Sequence, residues 1–232
     1  MSKKVLYILI SLVFLVVIFF SRENIYFSIG NYYFGGGVYD LKKAEKYFRK
    51  VVSIEEDYPR AHYQLARISF LNARFIEAKN EINKEISLYP DFYKSYYMEG
   101  LIAGYAGDFE TAVNGFKKFQ EYDSFNWASY NDLSWVYFQK GDFELARDIA
   151  VDGLRYAGNN PWLYNSLGIA LINLKDMSEA KVAFEKALEN IDKTTAEQWG
   201  KAYPGNDPKI YKDGHMATRE AIIYNLDLLK DY

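Results

Sequence analysis

The sequence predicts an all-α protein: a solenoid of helical hairpins preceded by one transmembrane helix. Three observations point there. A 16-residue apolar run, Val5 to Phe20, lies near the N-terminus. An alanine recurs at 34-residue spacing from residue 44 to residue 180. The aromatic residues, 18% of a 232-residue chain, fall largely at constant offsets from those alanines.

The apolar run reads VLYILISLVFLVVIFF, interrupted only by Ser11. At about 1.5 Å per residue it spans roughly 24 Å, a little short of a ~30 Å hydrocarbon core. Lys3 and Lys4 can snorkel and lengthen it. The run exceeds the usual apolar stretch of a secretory signal, and bulky Phe19 stands before the candidate cleavage point after Ser21, where a small residue is required. Residues 1–23 are therefore expected to form an uncleaved, single-pass anchor. The lysines that precede it place the N-terminus in the cytoplasm and the rest of the chain outside the plasma (inner) membrane. No glycine or proline separates Val5 from Ile29, so the anchor helix is expected to run on into the first repeat and hold the repeats near the bilayer.

Composition narrows the chemistry. The absence of cysteine excludes a disulfide framework, a cysteine-based zinc or iron–sulfur site and a cysteine nucleophile. Acidic residues (31) nearly balance basic ones (28), which fits neither a nucleic-acid-binding surface nor a disordered acidic chain. The two histidines, His62 and His215, have no metal or catalytic spacing, and no hydrolase, dinucleotide, phosphate-loop or calcium-loop motif is present. Gly35-Gly36-Gly37 lacks the Gly-Lys-Ser/Thr that would follow in a phosphate loop and reads as a widened turn. No enzymatic activity, cofactor or metal is expected.

Internal repetition organises residues 24–192 into five units. The marking alanines are Ala44, Ala78, Ala112, Ala146 and Ala180. Four residues later come Phe48, Ile82, Phe116, Ala150 and Phe184; three residues earlier come Leu41, Phe75, Phe109, Phe143 and Met177. Twelve residues before each alanine stand Tyr32, Ala66, Gly100, Ser134 and Gly168, small in four of five. Each unit thus carries two apolar stripes at helical spacing, divided by a short break such as Gly107-Asp108 or Gly141-Asp142. The glycine ends the first helix and the aspartate caps the second.

The stretches Tyr164-Asn-Ser-Leu-Gly-Ile-Ala-Leu with Ala180-x₃-Phe184, and Tyr130-Asn-Asp-Leu-Ser-Trp-Val-Tyr137 with Ala146, resemble the tetratricopeptide repeat. The resemblance covers about residues 25–192 and implies a right-handed superhelix of stacked hairpins. The first unit is degenerate, and Glu85 and Glu99 occupy positions where the family carries alanine and leucine. His62 falls in a usually aromatic position and reads as packed.

Residues 193–232 break the rhythm. They are expected to be an insertion followed by a capping helix, a partial sixth repeat. Asp207-Pro208 is a helix start, and Ile210, Ala217, Ala221, Ile222, Leu226 and Leu229 would face the stack, although Gly214 weakens that helix. The insertion, with Trp199 and Tyr203, is also open to a role in partner binding.

The resemblance further implies that a protein or peptide segment binds in a concave groove lined by the first helix of each repeat. The positions 18, 15, 11 and 8 residues before each alanine share one helix face. They supply the candidate binding residues Arg60, Tyr63, Arg67 and Phe70 in the second repeat and Lys94 and Tyr97 in the third. Asn131, Trp135 and Phe138 follow in the fourth, then Trp162 and Asn165 in the fifth. Aromatic residues and arginine anchor interfaces, and the two asparagines can grip an extended backbone. The function expected is a membrane-anchored scaffold for protein partners, in assembly of a cell-envelope machine. A glycan- or peptidoglycan-binding module and a cytoplasm-facing membrane adaptor are the alternatives.

Overall fold

A helical hairpin closes only if its two helices can approach, and small residues at the crossing set that distance. The computed structural model describes residue 4, residues 22–202 and residues 206–230. The repeats are the pairs α1 (Arg22–Tyr33) and α2 (Leu41–Ile54), α3 (Ala61–Leu71) and α4 (Phe75–Leu88), α5 (Lys94–Tyr105) and α6 (Phe109–Tyr122). They continue as α7 (Trp127–Lys140) and α8 (Phe143–Tyr156), then α9 (Pro161–Asn173) and α10 (Met177–Asp192). Each pair packs together and then against the next, giving the all-α hairpin solenoid that the alanine ladder predicts.

The crossings show why the ladder exists. Ala44, Ala78, Ala112, Ala146 and Ala180 are all fully buried. A side chain added at Gly100 would stand 2.8 Å from the Phe116 ring, and one at Gly168 would stand 2.6 Å from the Phe184 ring. In the first repeat that role belongs to Gly30, which lies against Phe48, and not to Tyr32, which is half exposed. The first loop, residues 34–40, is four residues longer than the three-residue loops of the second, third and fifth hairpins, and the crossing glycine falls 14 residues before its alanine instead of 12. Gly35 takes a left-handed φ of 100°, and an isolated bridge joins Phe34 to Tyr39.

The shorter turns use a left-handed residue five places before the alanine. Gly107 and Gly141 fill it with φ 82°, while Ala73 and Lys175 adopt it at φ 55° and 67° despite the steric cost of a side chain. Asp40 and Asp108 cap α2 and α6 by accepting from the amides of Lys43 and Thr111. Asp142, expected to cap α8, makes no such bond; it lies 3.9 Å from the Lys140 ammonium.

Two unusual residues find structural roles. His62 Nε2 donates to the Glu56 carbonyl at 2.8 Å, and Nδ1 lies 2.6 Å from Glu81 Oε2. Tyr96 and Tyr130, one and two repeats later, donate to the carbonyl six residues back in the same manner, so His62 does a tyrosine's work. Glu85 is fully buried rather than solvated. Its carboxylate accepts from the amides of Arg60 (3.0 Å) and Tyr63 (3.1 Å), capping α3 from the neighbouring helix α4. Arg60, at the left-handed φ of 67°, supplies no side-chain cap of its own.

Beyond the repeats come α11 (Ala196–Ala202), a 3₁₀ turn (Pro208–Ile210) and α12 (Tyr211–Asp227). Asp207 caps that turn through the Lys209 amide. The capping helix packs on α10 and buries Ile222 and Leu229 against Leu171 and Phe184. Ile210, Ala217 and Ala221, expected to face the stack, are exposed, because the helix presents a narrower stripe to α10. Gly214 is not a weakness: the Trp199 ring lies directly over it, 2.0 Å from where a side chain would begin. The Val5–Phe20 run and Tyr203 lie outside the described residues. Among the described residues, no helix is long and apolar enough to cross a membrane.

Gly168→Ala should drive a methyl into the Phe184 ring and cost about 1–3 kcal/mol in a denaturant melt. Adding Phe184→Ile, which copies the Ala66/Ile82 pair of the second repeat, should recover part of that loss, and a strictly additive double mutant would contradict the account. Glu85→Ala should expose two helix-end amides and cost about 1–3 kcal/mol. Burial raises the Glu85 carboxyl, with the two amide bonds opposing the shift. The proton-linked part of its contribution, separate from the two amide bonds, is therefore present below the unfolded carboxylate range and lost as pH rises through the raised native value. Glu85→Ala should remove that slope from a pH series of melts.

Candidate partner-binding groove

The first helices α3, α5, α7 and α9 line a continuous concave face. It holds two adjoining cavities that share Arg67, Tyr97, Met98 and Leu101. The first, about 570 Å³, takes in Arg60, Tyr63, Lys94 and Tyr97. The second, about 490 Å³, takes in Phe70, Asn131, Trp135, Trp162 and Asn165. Ten of the eleven residues that the sequence nominates thus meet along one groove. Phe138 does not: its ring packs 5.6 Å from Phe143 inside the fourth hairpin and faces neither cavity.

Aromatic packing stiffens the walls. Trp135 lies 5.0 Å from Tyr105 and against Gly104, while Trp127 and Trp162 stack at 5.1 Å. Phe70 meets Tyr105 edge-on at 5.2 Å. Tyr97 serves two purposes. Its ring packs on Phe116 and Phe119, and its hydroxyl donates to Asp132 Oδ2 at 2.5 Å, so it holds repeats three and four together as well as lining the groove.

The polar groups bind repeat to repeat. Gln64 donates to Asn31 (2.8 Å), Ser166 donates to Asn131 (2.9 Å), and Asn225 of α12 donates to Asn165 (3.3 Å). Together with Tyr97–Asp132 these bonds form a polar seam on the first helices. The asparagines therefore do not stand as two open backbone grips, since their carbonyl oxygens already accept bonds from the next unit.

Charge is unequal along the groove. The first cavity gathers Arg60, Arg67 and Lys94 against Asp123. Arg67 is set over the Phe34 ring at 4.4 Å and donates to Gln64. Burial lowers the Arg67 guanidinium, opposed by the nearby Tyr63 and Tyr39 phenols. Burial raises the Tyr63 phenol in turn. Met98, Leu101, Tyr105 and Asp132 complete the walls. Leu101 lies 11 residues before Ala112 and so falls on the offset stripe, whereas Met98, Tyr105 and Asp132 lie off it. Trp199, Ala202 and Asn206, from beyond the repeats, also face the cavities. Among the described residues, no cluster of three histidines and carboxylates could hold a metal ion.

Residues 163–193, most of the fifth repeat, match the family model of the tetratricopeptide repeat. The tetratricopeptide repeat-containing protein trd-1 of Caenorhabditis elegans is 20% identical over 151 residues. Those residues are 65% of this chain but 20% of that protein, so the chain spans about a fifth of its curated relative. Among solved structures, MamA from Desulfovibrio magneticus RS-1 (residues 41 to its end) superposes with a TM-score of 0.68 at 16% identity. That match covers 75% of this chain and 97% of the other. YrrB, described as a TPR protein with an unusual peptide-binding site, superposes at 0.63 with 14% identity, covering 76% and 91%. At such identities the likeness establishes the fold.

Tyr97→Phe keeps the ring contacts and removes one donor from the buried Asp132. It should cost about 1–3 kcal/mol in a denaturant melt, and a neutral effect would show that this bond of the seam contributes nothing to stability.

Proposed function

Since the chain is built of tetratricopeptide repeats, we propose that it is a non-catalytic scaffold that holds a protein or peptide segment in its concave groove. The observation that carries this reading is the groove itself: two joined cavities, walled by stiffened aromatic rings, with cations gathered at one end. Rigid aromatic walls bind with little loss of side-chain freedom. The peptide-binding site ascribed to YrrB supports the reading by analogy of fold.

The scaffold is proposed to be tethered to the plasma membrane by the Val5–Phe20 run, with the repeats outside and the N-terminus in the cytoplasm. Sequence supports this through the length of the run and the lysines before it. A tethered, groove-bearing domain suits the ordering of partners in a cell-envelope machine. The Asn131 and Asn165 side-chain oxygens already accept bonds within the seam, so the asparagine pair lends the glycan-binding alternative no particular support.

Placing a photo-reactive phenylalanine analogue at Trp135 should yield a discrete crosslinked protein in cells. Trp162→Ala should reduce that product at least tenfold, as expected of an anchor worth about 2 kcal/mol, without lowering the melting temperature by more than a few degrees. Crosslinking that is equally strong from the opposite face, at Lys117, would sink the groove reading. An alkaline phosphatase fusion after residue 232 reports topology, and an inactive fusion would reverse it.

A further inference from the structure

The loops between repeats form one edge of the solenoid. Short connections make neighbouring helices antiparallel. The start of α1 and the loops 55–60, 89–93, 123–126 and 157–160 therefore fall on the same side. A tyrosine ties each loop region to the one before. Tyr58 donates to Asn24 in the first turn of α1 at 2.8 Å, and Tyr89 donates to the Asp57 carbonyl. Tyr122 stacks on Tyr93 at 5.8 Å, and Tyr156 meets Phe125 at 5.2 Å. The row is continuous from the start of α1 to the end of α8.

Packing does not use these rings up. Tyr122 is 50% exposed, Tyr156 47% and Phe125 73%. Such rings leave apolar area in water, and a contiguous exposed patch marks an interaction surface. The sequence says what covers it. The apolar run ends at Phe20, two residues before α1 begins, and so on this edge. Ile76, at the start of α4, is exposed too, but it lies at the hairpin-turn edge, a helix length of roughly 20 Å away. Tyrosine, with an apolar ring and a polar tip, suits the boundary between lipid and water.

We propose that the loop edge docks on the bilayer, with Tyr122, Phe125 and Tyr156 seated among the lipid headgroups. The inference rests on the reading of Val5–Phe20 as a membrane tether. It adds which side of the repeats meets the lipid and through which residues. Charge takes no part in the attraction. Glu55, Glu56, Asp57 and Asp123 belong to these loops, and the nearby Lys84 and Lys118 are paired with Glu56 and Glu121. An anionic surface draws in basic clusters, so anionic lipid should not strengthen the docking.

The chain has no cysteine, so a single fluorophore can be placed on it. The full chain, labelled with NBD at Ser124→Cys or at Ile76→Cys, is reconstituted into phosphatidylcholine vesicles containing headgroup-spin-labelled lipid. Both positions are exposed, so the label disturbs no packing. NBD at residue 124 should lose most of its fluorescence, and NBD at residue 76 should keep nearly all of it. Adding Phe125→Ser to Ser124→Cys should restore most of the lost signal. Phosphatidylglycerol in the vesicles should leave the result unchanged. Equal quenching at the two positions, quenching unaffected by Phe125→Ser, or quenching only with phosphatidylglycerol would overturn the proposal. Vesicle flotation after an alkaline wash reads the tether separately. A chain that floats without quenching at residue 124 keeps the tether and loses the docking, and a chain that does not float removes both.

Discussion

The contact on which the solenoid depends is a phenyl ring lying against bare backbone. In the first, third and fifth repeats, Phe48, Phe116 and Phe184 press on Gly30, Gly100 and Gly168, and all three rings are fully buried. Burying each ring stabilises the fold by about 2–3 kcal/mol, and only a glycine lets the helices come close enough to do it. The second and fourth repeats reach the same closure by another division of volume. There Ala66 is paired with Ile82 and Ser134 with Ala150. The Ser134 hydroxyl, itself buried, donates to the Ala146 carbonyl at 2.7 Å. A larger residue on one helix is matched by a smaller one on its partner, as close-packed interiors require.

Stacking draws on different forces on the two sides of the molecule. Around the second helices and the hairpin turns, ion pairs join neighbouring repeats: Arg49 meets Glu77, Lys79 meets Asp108 at 3.1 Å, and Lys140 at the end of α7 meets Glu110 at 2.6 Å. These are exposed and weak. Between first helices the seam of hydroxyl and amide bonds is half-buried. The concave face is therefore the better-determined side, which is what a binding groove demands of its walls.

Much of this was legible. The alanine ladder located every hairpin because the crossing residue cannot grow, and ten of the eleven offset-rule candidates line one pair of adjoining cavities because side-chain direction follows helix phase. Tyr32 was misassigned because a longer first turn moves the crossing residue two positions earlier without altering the alanine spacing. Phe138 was misassigned because the end of α7 turns its ring towards Phe143. Glu85 looked like a departure from pattern because its partners, the amides of Arg60 and Tyr63, carry no side-chain signature. The position of Trp199 depends on contacts with α12 and the groove, separated in sequence by far more than any local rule can span.

The capping helix has a last consequence, for how the molecule comes apart. In a plain solenoid each repeat touches only its neighbours, so the two ends fray independently. Here α12 packs on α10 and buries Ile222 in one cluster with Phe184, and its Asn225 donates to Asn165 of α9. Both helices of the fifth repeat are thus pinned by one element, and that end of the stack has to release α12 before its last hairpin can open.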